Sequence, residues 1–296
     1  MKPVYTIMFF VSISLVVASV VALGAWGLNL GVDFKGGSVA EIEFTAGRPD
    51  TGAVRTMVAA LPGFSETNIS EAGTDRLVVR TGQLTEAQHQ QLLGAFTKAY
   101  AANGPRETRF DSIGPAIGAE LKSKSLTAVF MVLIAIILYI ALVFRAMRRV
   151  LSPWVMSFAA IVALLHDVLI PLGVFAALGH FVNVQISAVF VAAILTILGY
   201  SVSDTVVIFD RVRENILRGV KERFAVVVHM SVMQTLVRSL NTTLTTLISL
   251  IAIYLFGGES IRYFALALIL GIGLGAYSSI FVAAPLLVWM GRDARR

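Results

Sequence analysis

The sequence contains no cysteine, and only 14% of its residues are charged. The absence of thiols excludes disulfide bonds and metal sites built on thiolates. The scarcity of charge excludes an ordinary soluble domain, whose surface needs far more Lys, Arg, Asp and Glu. There is also no glycine repeat, which excludes a collagen-like chain. In contrast, 57% of the 296 residues are hydrophobic and the mean hydropathy is +0.81, which predicts a membrane protein.

Long uncharged runs predict six membrane-spanning helices, because one span needs about 20 apolar residues at about 1.5 Å each. The run from 168 to 203 is too long for one span, and we divide it at Gly179, His180 and Asn183. The first run is too long for the core of a signal peptide, so we expect it to be retained. The predicted spans are Tyr5–Leu28, Ser125–Phe144, Trp154–Leu178, Val184–Phe209, Ser231–Phe256 and Tyr263–Met290.

The positions of Lys and Arg predict that both chain termini lie in the cytoplasm, with the chain crossing the membrane several times. The segment 29–124 carries ten basic and eleven acidic residues, so the formal charge of +6 comes from elsewhere. This distribution gives no indication of nucleic-acid binding. If the spans alternate, one side receives Lys2, Arg145, Arg148, Arg149, Arg211, Arg213, Arg218, Lys221, Arg223, Arg292, Arg295 and Arg296.

The segment 29–124 is predicted to be one α+β domain on the side of the membrane opposite the basic loops, between a first helix in 1–28 and a five-helix bundle in 125–296. Alternating apolar residues at 40, 42 and 44 indicate a strand. Asp50 or Thr51 can cap a helix over the next ten residues, and Thr85 with Gln88 forms a capping box for a second. With three further strands, the order βαββαβ predicts a ferredoxin-like fold. The inward positions expected on the two helices are Val54, Met57, Val58, Leu61, Leu92, Phe96 and Ala99.

Ionisable residues inside the predicted spans indicate function, because charge is costly in hydrocarbon. Asp204 and Arg238 lie about equally deep in the fourth and fifth spans, which are antiparallel, so we expect them to pair. Facing polar stripes could hold a file of water and conduct protons; alternatively, the pair is inert and the hydroxyls only satisfy helix backbones. The stripes comprise Thr196, Tyr200 and Ser203 beside Asp204, and Gln234, Asn241, Thr242, Thr245 and Ser249 beside Arg238.

His166 and Asp167 form a second polar site, in the third span. They either support the proton path, or the His bonds across helices and the Asp orients a backbone group near Pro171. In the sixth span, small residues at four-residue spacing (Gly271, Gly275 and Ser279) predict close helix packing. The glycine-rich segment 31–37 lacks the spacing of a phosphate loop, and we interpret it as a turn.

Several motifs together resemble the SecF family, whose members work with SecD in bacterial protein export and belong to the resistance-nodulation-division superfamily. They are GVDFKGG at 31–37, IGPAIGAEL at 113–121, His166-Asp167, GYSVSDTVVIFDRVREN at 199–215 and GAYSS at 275–279. The resemblance implies six spans with a ferredoxin-like periplasmic domain after the first. It also implies that Asp204 and Arg238 match the family residues linked to proton flow, together with an Asp in a homologous SecD span. This sequence departs from the family pattern at two places. Position 203 is Ser where the family usually has Asn, and the segment 238–241 is Arg-Ser-Leu-Asn where the family commonly begins Arg-Thr.

The resemblance implies a SecF-type subunit that uses the proton motive force to drive or complete preprotein translocation. The coupling ion is H⁺, and we expect no other cofactor, no metal and no hydrolytic chemistry. The implied partners are SecD, the SecYEG translocon, preprotein and membrane lipids, with YajC and a YidC-type insertase as further candidates. One alternative is half of a proton-driven exporter of small molecules or lipids, although that class needs two large outer loops and this chain has one. The other is a passive scaffold for translocon assembly.

Overall fold

The computed structural model describes residues 3–64, 67–145 and 152–291. Six of the basic residues used for orientation lie outside these ranges: Lys2, Arg148, Arg149, Arg292, Arg295 and Arg296. The chain divides into two compact units, one formed by Met1–Asn29 with Leu126–Arg296 and the other by Leu30–Ser125.

The main elements follow one another in the order helix, small α+β unit, helices. They are α1 (Pro3–Trp26), α2 (Val32–Lys35), β1 (Gly37–Phe44), α3 (Thr51–Ala59), β2 (Asn68–Ala72), β3 (Arg76–Thr81), α4 (Glu86–Ala99), β4 (Pro105–Ile113), α5 (Pro115–Val143), α6 (Pro153–Phe181), α7 (Ala188–Leu217), α8 (Phe224–Phe256), α9 (Glu259–Ser278) and α10 (Ala284–Gly291). A single π-helical turn, Ser279–Ala283, joins α9 to α10.

Within the described ranges, six helices are long and apolar enough to cross a membrane, which confirms the predicted number of spans. Several continue well past the predicted limits: α5 begins ten residues before Ser125, and α7 runs eight residues beyond Phe209. Hydropathy marks only the apolar part of a helix, whereas the backbone hydrogen-bond ladder continues into the polar residues at either end.

The unit Leu30–Ser125 contains one four-stranded antiparallel sheet in the order β2-β3-β1-β4. This order, with α3 and α4 between the strands, confirms the ferredoxin-like prediction. Asp50 Oδ2 accepts a 2.8 Å hydrogen bond from the amide of Ala53, and the Thr85–Gln88 capping box is formed. The sheet and helices enclose a core that includes Ala40, Ile42, Phe44, Val54, Val58, Phe64, Leu77, Val79, Leu92 and Phe96.

One inward position predicted on α4 is wrong: Ala99 is exposed, and the buried residue on that face is His89. Ala99 is the last residue of the helix, and the next residue, Tyr100, packs against the core in its place. His89 is buried because its ring stacks on Phe110 with 3.7 Å between centroids, and its Nε2 lies 2.8 Å from Oε1 of Glu107.

In the glycine-rich segment 31–37, predicted as a hinge or turn, residues Val32–Lys35 form the short helix α2, and β1 begins at Gly37. Gly36 and Gly37 have φ values of +78° and +128°, a region that L side chains rarely adopt. A Cβ at Gly36 would also lie 2.8 Å from the backbone of Pro115, and one at Gly37 would lie 2.7 Å from the carbonyl oxygen of Thr81. Both glycines are therefore required for the chain to enter β1.

In the helical unit, the small-residue face of α9 packs against α7, as predicted. Gly271 lies against Ile197, and Gly275 lies against Ser201. Side chains of α7 therefore approach the backbone of α9 closely at two successive turns. At the next turn, Ser279 Oγ lies 2.8 Å from Thr205 Oγ1. This close packing places the middle of α7, including Asp204, beside α9 and the π-helical turn.

Candidate functional site

Asp204 lies in the middle of α7 and is only 8% exposed. Its carboxyl group is near Ser239 on α8. Among the described residues, neither Oδ2 of Asp204 nor Oγ of Ser239 makes a hydrogen bond, although both atoms are buried. A buried polar atom without a partner lowers the stability of the folded state. We therefore expect Asp204 to have a functional role, because it does not contribute to stability here.

Arg238 is exposed on the adjacent side of α8, and no salt bridge joins it to Asp204 in the described part of the chain. The expected direct pair is therefore not formed in this structure. Successive residues on a helix point about 100° apart, because a turn holds about 3.6 residues. Since Ser239 faces Asp204, its neighbour Arg238 points sideways.

Two polar stripes run along α8. The one predicted from the sequence is exposed: Gln234, Arg238, Asn241, Thr242, Thr245 and Ser249. A second stripe, not predicted, is buried at four-residue spacing and consists of Ser231, Thr235, Ser239 and Thr243.

In the buried stripe, the hydroxyls of Ser231 and Thr235 donate to backbone carbonyls one turn earlier, at 2.8 and 3.0 Å. Those of Ser239 and Thr243 make no hydrogen bond among the described residues. The unsatisfied hydroxyls thus begin at the level of Asp204. The regular spacing of four Ser and Thr residues was the available sequence signal for this stripe.

Tyr200 links the polar faces of α7 and α8. Its hydroxyl donates a 3.0 Å hydrogen bond to the carbonyl oxygen of Thr242 and lies 3.1 Å from Oγ1 of Thr246. Ser203, one residue before Asp204, is exposed, as are Asn241 and Thr245, and Thr245 Oγ1 donates to the carbonyl oxygen of Asn241 at 2.9 Å. The structure therefore joins Tyr200 to Thr242 and leaves the other three on the outside of this chain.

A cleft of about 420 Å³ lies between α5, α7 and α8, where α7 approaches its C-terminal end. Its charged lining consists of Asp210, Arg211, Glu214 and Arg238. Arg211 Nη1 lies 2.5 Å from Oε2 of Glu214, while Asp210 pairs at 3.0 Å with Arg213 outside the cleft lining. Charged walls of this kind favour water, so the cleft can bring solvent to the guanidinium of Arg238.

His166 and Asp167 form a separate buried cluster with α7 and α9. Asp167 is fully buried, and its Oδ1 lies 2.8 Å from Nδ1 of His166. Its Oδ2 accepts hydrogen bonds from Ser201 Oγ at 2.5 Å and from Ser278 Oγ at 2.7 Å. Asp167 thus bonds to side chains across helices, whereas the sequence suggested this for the His and a backbone role for the Asp.

The described residues include no group of three or more His, Cys, Asp or Glu side chains that could hold a metal ion. What this arrangement can do is bind and move protons: two buried carboxylates lie near hydroxyl groups and, in the case of Asp204, near a cleft with a permanent cation.

Two models of known protein families match the chain. Residues 94–293 match the model of the C-terminal region of the protein export membrane protein SecD/SecF, and residues 21–47 match the SecD/SecF GG motif. The chain belongs to the SecD/SecF family. Its glycine turn at positions 36 and 37 lies within the GG motif, and both Asp204 and Asp167 lie within the C-terminal region.

The relatives that this family member matches over most of their length are SecF subunits of protein translocase. The Thermobaculum terrenum subunit is 38% identical, with 97% of this chain and 93% of the relative covered. The Vibrio alginolyticus subunit is 36% identical, covering 96% of this chain and 87% of the relative.

Solved structures of SecDF are also similar. A crystal structure of a translocon-associated SecDF from Thermus superposes with a TM-score of 0.84 at 32% identity over 97% of this chain. A second SecDF structure, in a super-membrane-facing form, gives a TM-score of 0.68 at 31% identity over 98%. The chain accounts for 38% of the SecDF chain in each case, so it corresponds to one part of that longer protein.

Proposed function

We propose that the chain is the SecF subunit of the Sec protein translocase and that, with SecD, it uses the proton motive force to drive or complete preprotein translocation. The observation that carries this proposal is the buried carboxyl of Asp204, whose Oδ2 has no hydrogen-bond partner among the described residues, in a membrane-spanning helix of a SecD/SecF family member. The coupling ion is H⁺, and the subunit needs neither another cofactor nor hydrolytic chemistry of its own.

Protonation of Asp204 is the switching step. The carboxylate is charged and poorly satisfied in a dry environment, whereas the protonated acid is neutral and can donate a hydrogen bond to the hydroxyl of Ser239. Arg238 directly precedes Ser239 on α8. Its side chain responds because protonation of Asp204 removes the negative charge that attracts the guanidinium. The relative position of α7 and α8 then depends on whether the proton is present.

The energy available per proton is sufficient for such a switch. Moving one charge through the membrane potential supplies about 2.3 kcal/mol per 100 mV, which biases a two-state equilibrium about fifty-fold. In the proposed cycle the SecD and SecF halves rock against each other, and the periplasmic domains move with them. Preprotein that has emerged from the translocon is thereby held and prevented from sliding back.

SecD is the partner that the exposed polar stripe of α8 requires. Arg238, Asn241, Thr242 and Thr245 are exposed in this chain, although they lie on a membrane-spanning helix. Uncovered, they would meet hydrocarbon at a large cost, so another protein surface must cover them. This chain covers only 38% of the solved SecDF chain, which supports SecD as the covering surface, and the acidic residue of SecD that the family resemblance implies would lie opposite Arg238.

We place both termini and the charged cleft in the cytoplasm and the α+β unit in the periplasm of the bacterial inner membrane. Arg145, Arg211, Arg213 and Arg218 are described basic residues on the proposed cytoplasmic side, in agreement with the positive-inside rule. SecYEG binds the assembled subunits, and YajC and a YidC-type insertase are further partners in this proposal.

The test is proton-driven export of a preprotein by membrane vesicles that contain SecD and this chain. Asp204→Asn and Arg238→Ala should each abolish the part of export that a protonophore removes, while SecD still copurifies. The matched control is Val237→Ala, which shortens an exposed apolar neighbour of Arg238 on α8 and should export normally. Wild-type export by Asp204→Asn would contradict the proposal and favour the passive scaffold.

A further inference from the structure

Side chains from three helices surround the carboxylate of Asp167 and stabilise its charge. The carboxylate accepts three hydrogen bonds: from His166 on its own helix, from Ser201 on α7 and from Ser278 on α9. The first reaches Oδ1 at 2.8 Å, and the other two reach Oδ2 at 2.5 and 2.7 Å. All four side chains are at most 3% exposed.

This cluster is neutral only when it holds a proton in addition to the one on Nδ1. A carboxylate beside a neutral imidazole has a net charge of −1, whereas a carboxylate beside an imidazolium, or a carboxylic acid beside an imidazole, has none. No Lys or Arg among the described residues forms an ion pair with Asp167. A net charge in the middle of a membrane protein is costly, so this cluster is a place where an added proton can be held.

The surrounding elements supply no other cation. From α9, the ring of Tyr277 stacks on His166 at 6.0 Å between centroids, and its hydroxyl donates to the carbonyl oxygen of Met8 on α1. From α7, the ionisable neighbour is Asp204, one turn beyond Ser201. The segments packed on the remaining sides, α1, the π-helical turn and α10, contain no charged residue.

His166 provides the atom at which a proton can be added. Its Nδ1 is used by Asp167, while its Nε2 is buried and has no hydrogen-bond partner among the described residues. Protonation at Nε2 therefore breaks no existing hydrogen bond, and it converts the ring to an imidazolium that strengthens the bond from Nδ1 to Asp167.

The cluster is connected to the Asp204 site through α7. Ser201, Asp204 and Thr205 lie within little more than one turn of that helix. Ser201 is bonded to Asp167, and Thr205 to Ser279, where the π-helical turn begins. A displacement of α7 that follows protonation of Asp204 must stretch or release the hydrogen bond between Ser201 and Asp167.

We propose that His166 and Asp167 form a second proton-binding site, and that its proton controls the hydrogen bond by which Asp167 holds α7 through Ser201. The role in transport rests on the proposed function, whereas the proton site itself does not. With the proton on Nε2, the imidazolium draws the charge of the carboxylate toward Oδ1, so the Ser201 hydrogen bond to Oδ2 is weaker and α7 is free to move. After the proton leaves, the carboxylate binds both serine hydroxyls tightly and α7 is held against α6.

The experiment is infrared difference spectroscopy of the full chain in lipid nanodiscs, with and without SecD, titrated between about pH 5 and pH 8. The wild type should show imidazole and carboxyl signals from this pair in addition to those of Asp204. Asp167→Asn should remove the carboxyl signal of Asp167 and shift the titration midpoint of the His166 imidazole signal. Asp204→Asn should leave the signals of His166 and Asp167 in place. Unchanged spectra in Asp167→Asn would overturn the inference.

Two further variants keep the test decisive if Asp167→Asn does not fold. His166→Asn retains an amide N–H near the Nδ1 position but cannot titrate, so it should lose the imidazole signal while SecD still copurifies. Ser278→Ala removes one donor and no titratable group, so it should keep both signals with a shifted midpoint. If His166→Asn retains every signal of the wild type, the pair binds no exchangeable proton. The expected titration signals together with wild-type export by Asp204→Asn would instead contradict the proposed function alone.

Discussion

Ser201 Oγ donates a 2.5 Å hydrogen bond to Oδ2 of Asp167, and this bond joins α7 to α6 in the interior of the helical unit. Three residues further along α7, about 4.5 Å along the helix axis, lies Asp204. The two buried carboxylates are thus connected by one turn of a single helix, which is itself packed closely against α9 at Gly271 and Gly275.

We expect Gly271→Ala to destabilise the helical unit. The added Cβ would lie closer than 3.0 Å to three side-chain carbons of Ile197, so α7 and α9 would have to separate. Overpacking of this kind costs about 1–3 kcal/mol, which should appear as a lower midpoint of thermal unfolding in detergent. Gly273→Ala is the control, because nothing lies within 4 Å of its added Cβ and its midpoint should not fall. Equal midpoints for the two variants would show that α7 and α9 do not pack as described.

Single cysteines can map the surface that SecD covers, because the chain has no cysteine of its own. A cysteine at exposed Asn241 should react with a maleimide in detergent when the chain is alone and be protected when SecD is bound. A cysteine at Thr243, only 5% exposed and two residues away, should react slowly in both states. If Asn241→Cys remains equally reactive in the SecD complex, the exposed stripe of α8 faces something else.

The acid stability of α3 should depend on Glu71. A 2.7 Å hydrogen bond from Thr51 and then a hydrogen bond from Arg48 lower the pKa of this carboxyl group below its usual value of 4.5. Because the pKa is lower in the folded state, the stabilisation is present above pH 4.5 and is lost as the pH falls through the folded pKa. Hydrogen exchange in the first turn of α3 should therefore be slower in the wild type than in Glu71→Gln near neutral pH, with the difference disappearing in acid. A constant difference at all pH values would rule out this role.

The fold could be predicted from the sequence because its signals are local. Uncharged runs identify the spans, and the alternation at residues 40, 42 and 44 with the capping residues Asp50 and Thr85 identifies the ferredoxin-like unit. Helix ends were predicted poorly, as α5 shows, since hydropathy does not report where hydrogen bonding continues. Ala99 was misplaced because the helix ends there and the large ring of Tyr100 takes the position against the core.

The geometry around Asp204 depends on helix rotation, which the sequence does not specify. Antiparallel pairing correctly indicated that α7 and α8 contact each other near Tyr200 and Thr242. It did not distinguish Arg238 from Ser239 as the residue facing Asp204, because both lie at the same depth. Nor could it show that Ser201 and Ser278 converge on Asp167, since this requires the positions of three helices at once.

The most direct measurement of the central claim is proton flux through liposomes reconstituted with SecD and this chain. With an imposed membrane potential, the wild type and the Val237→Ala control should conduct protons, and Asp204→Asn should not. Undiminished flux through Asp204→Asn, in a complex shown to contain SecD, would mean that the buried carboxylate is not the coupling group.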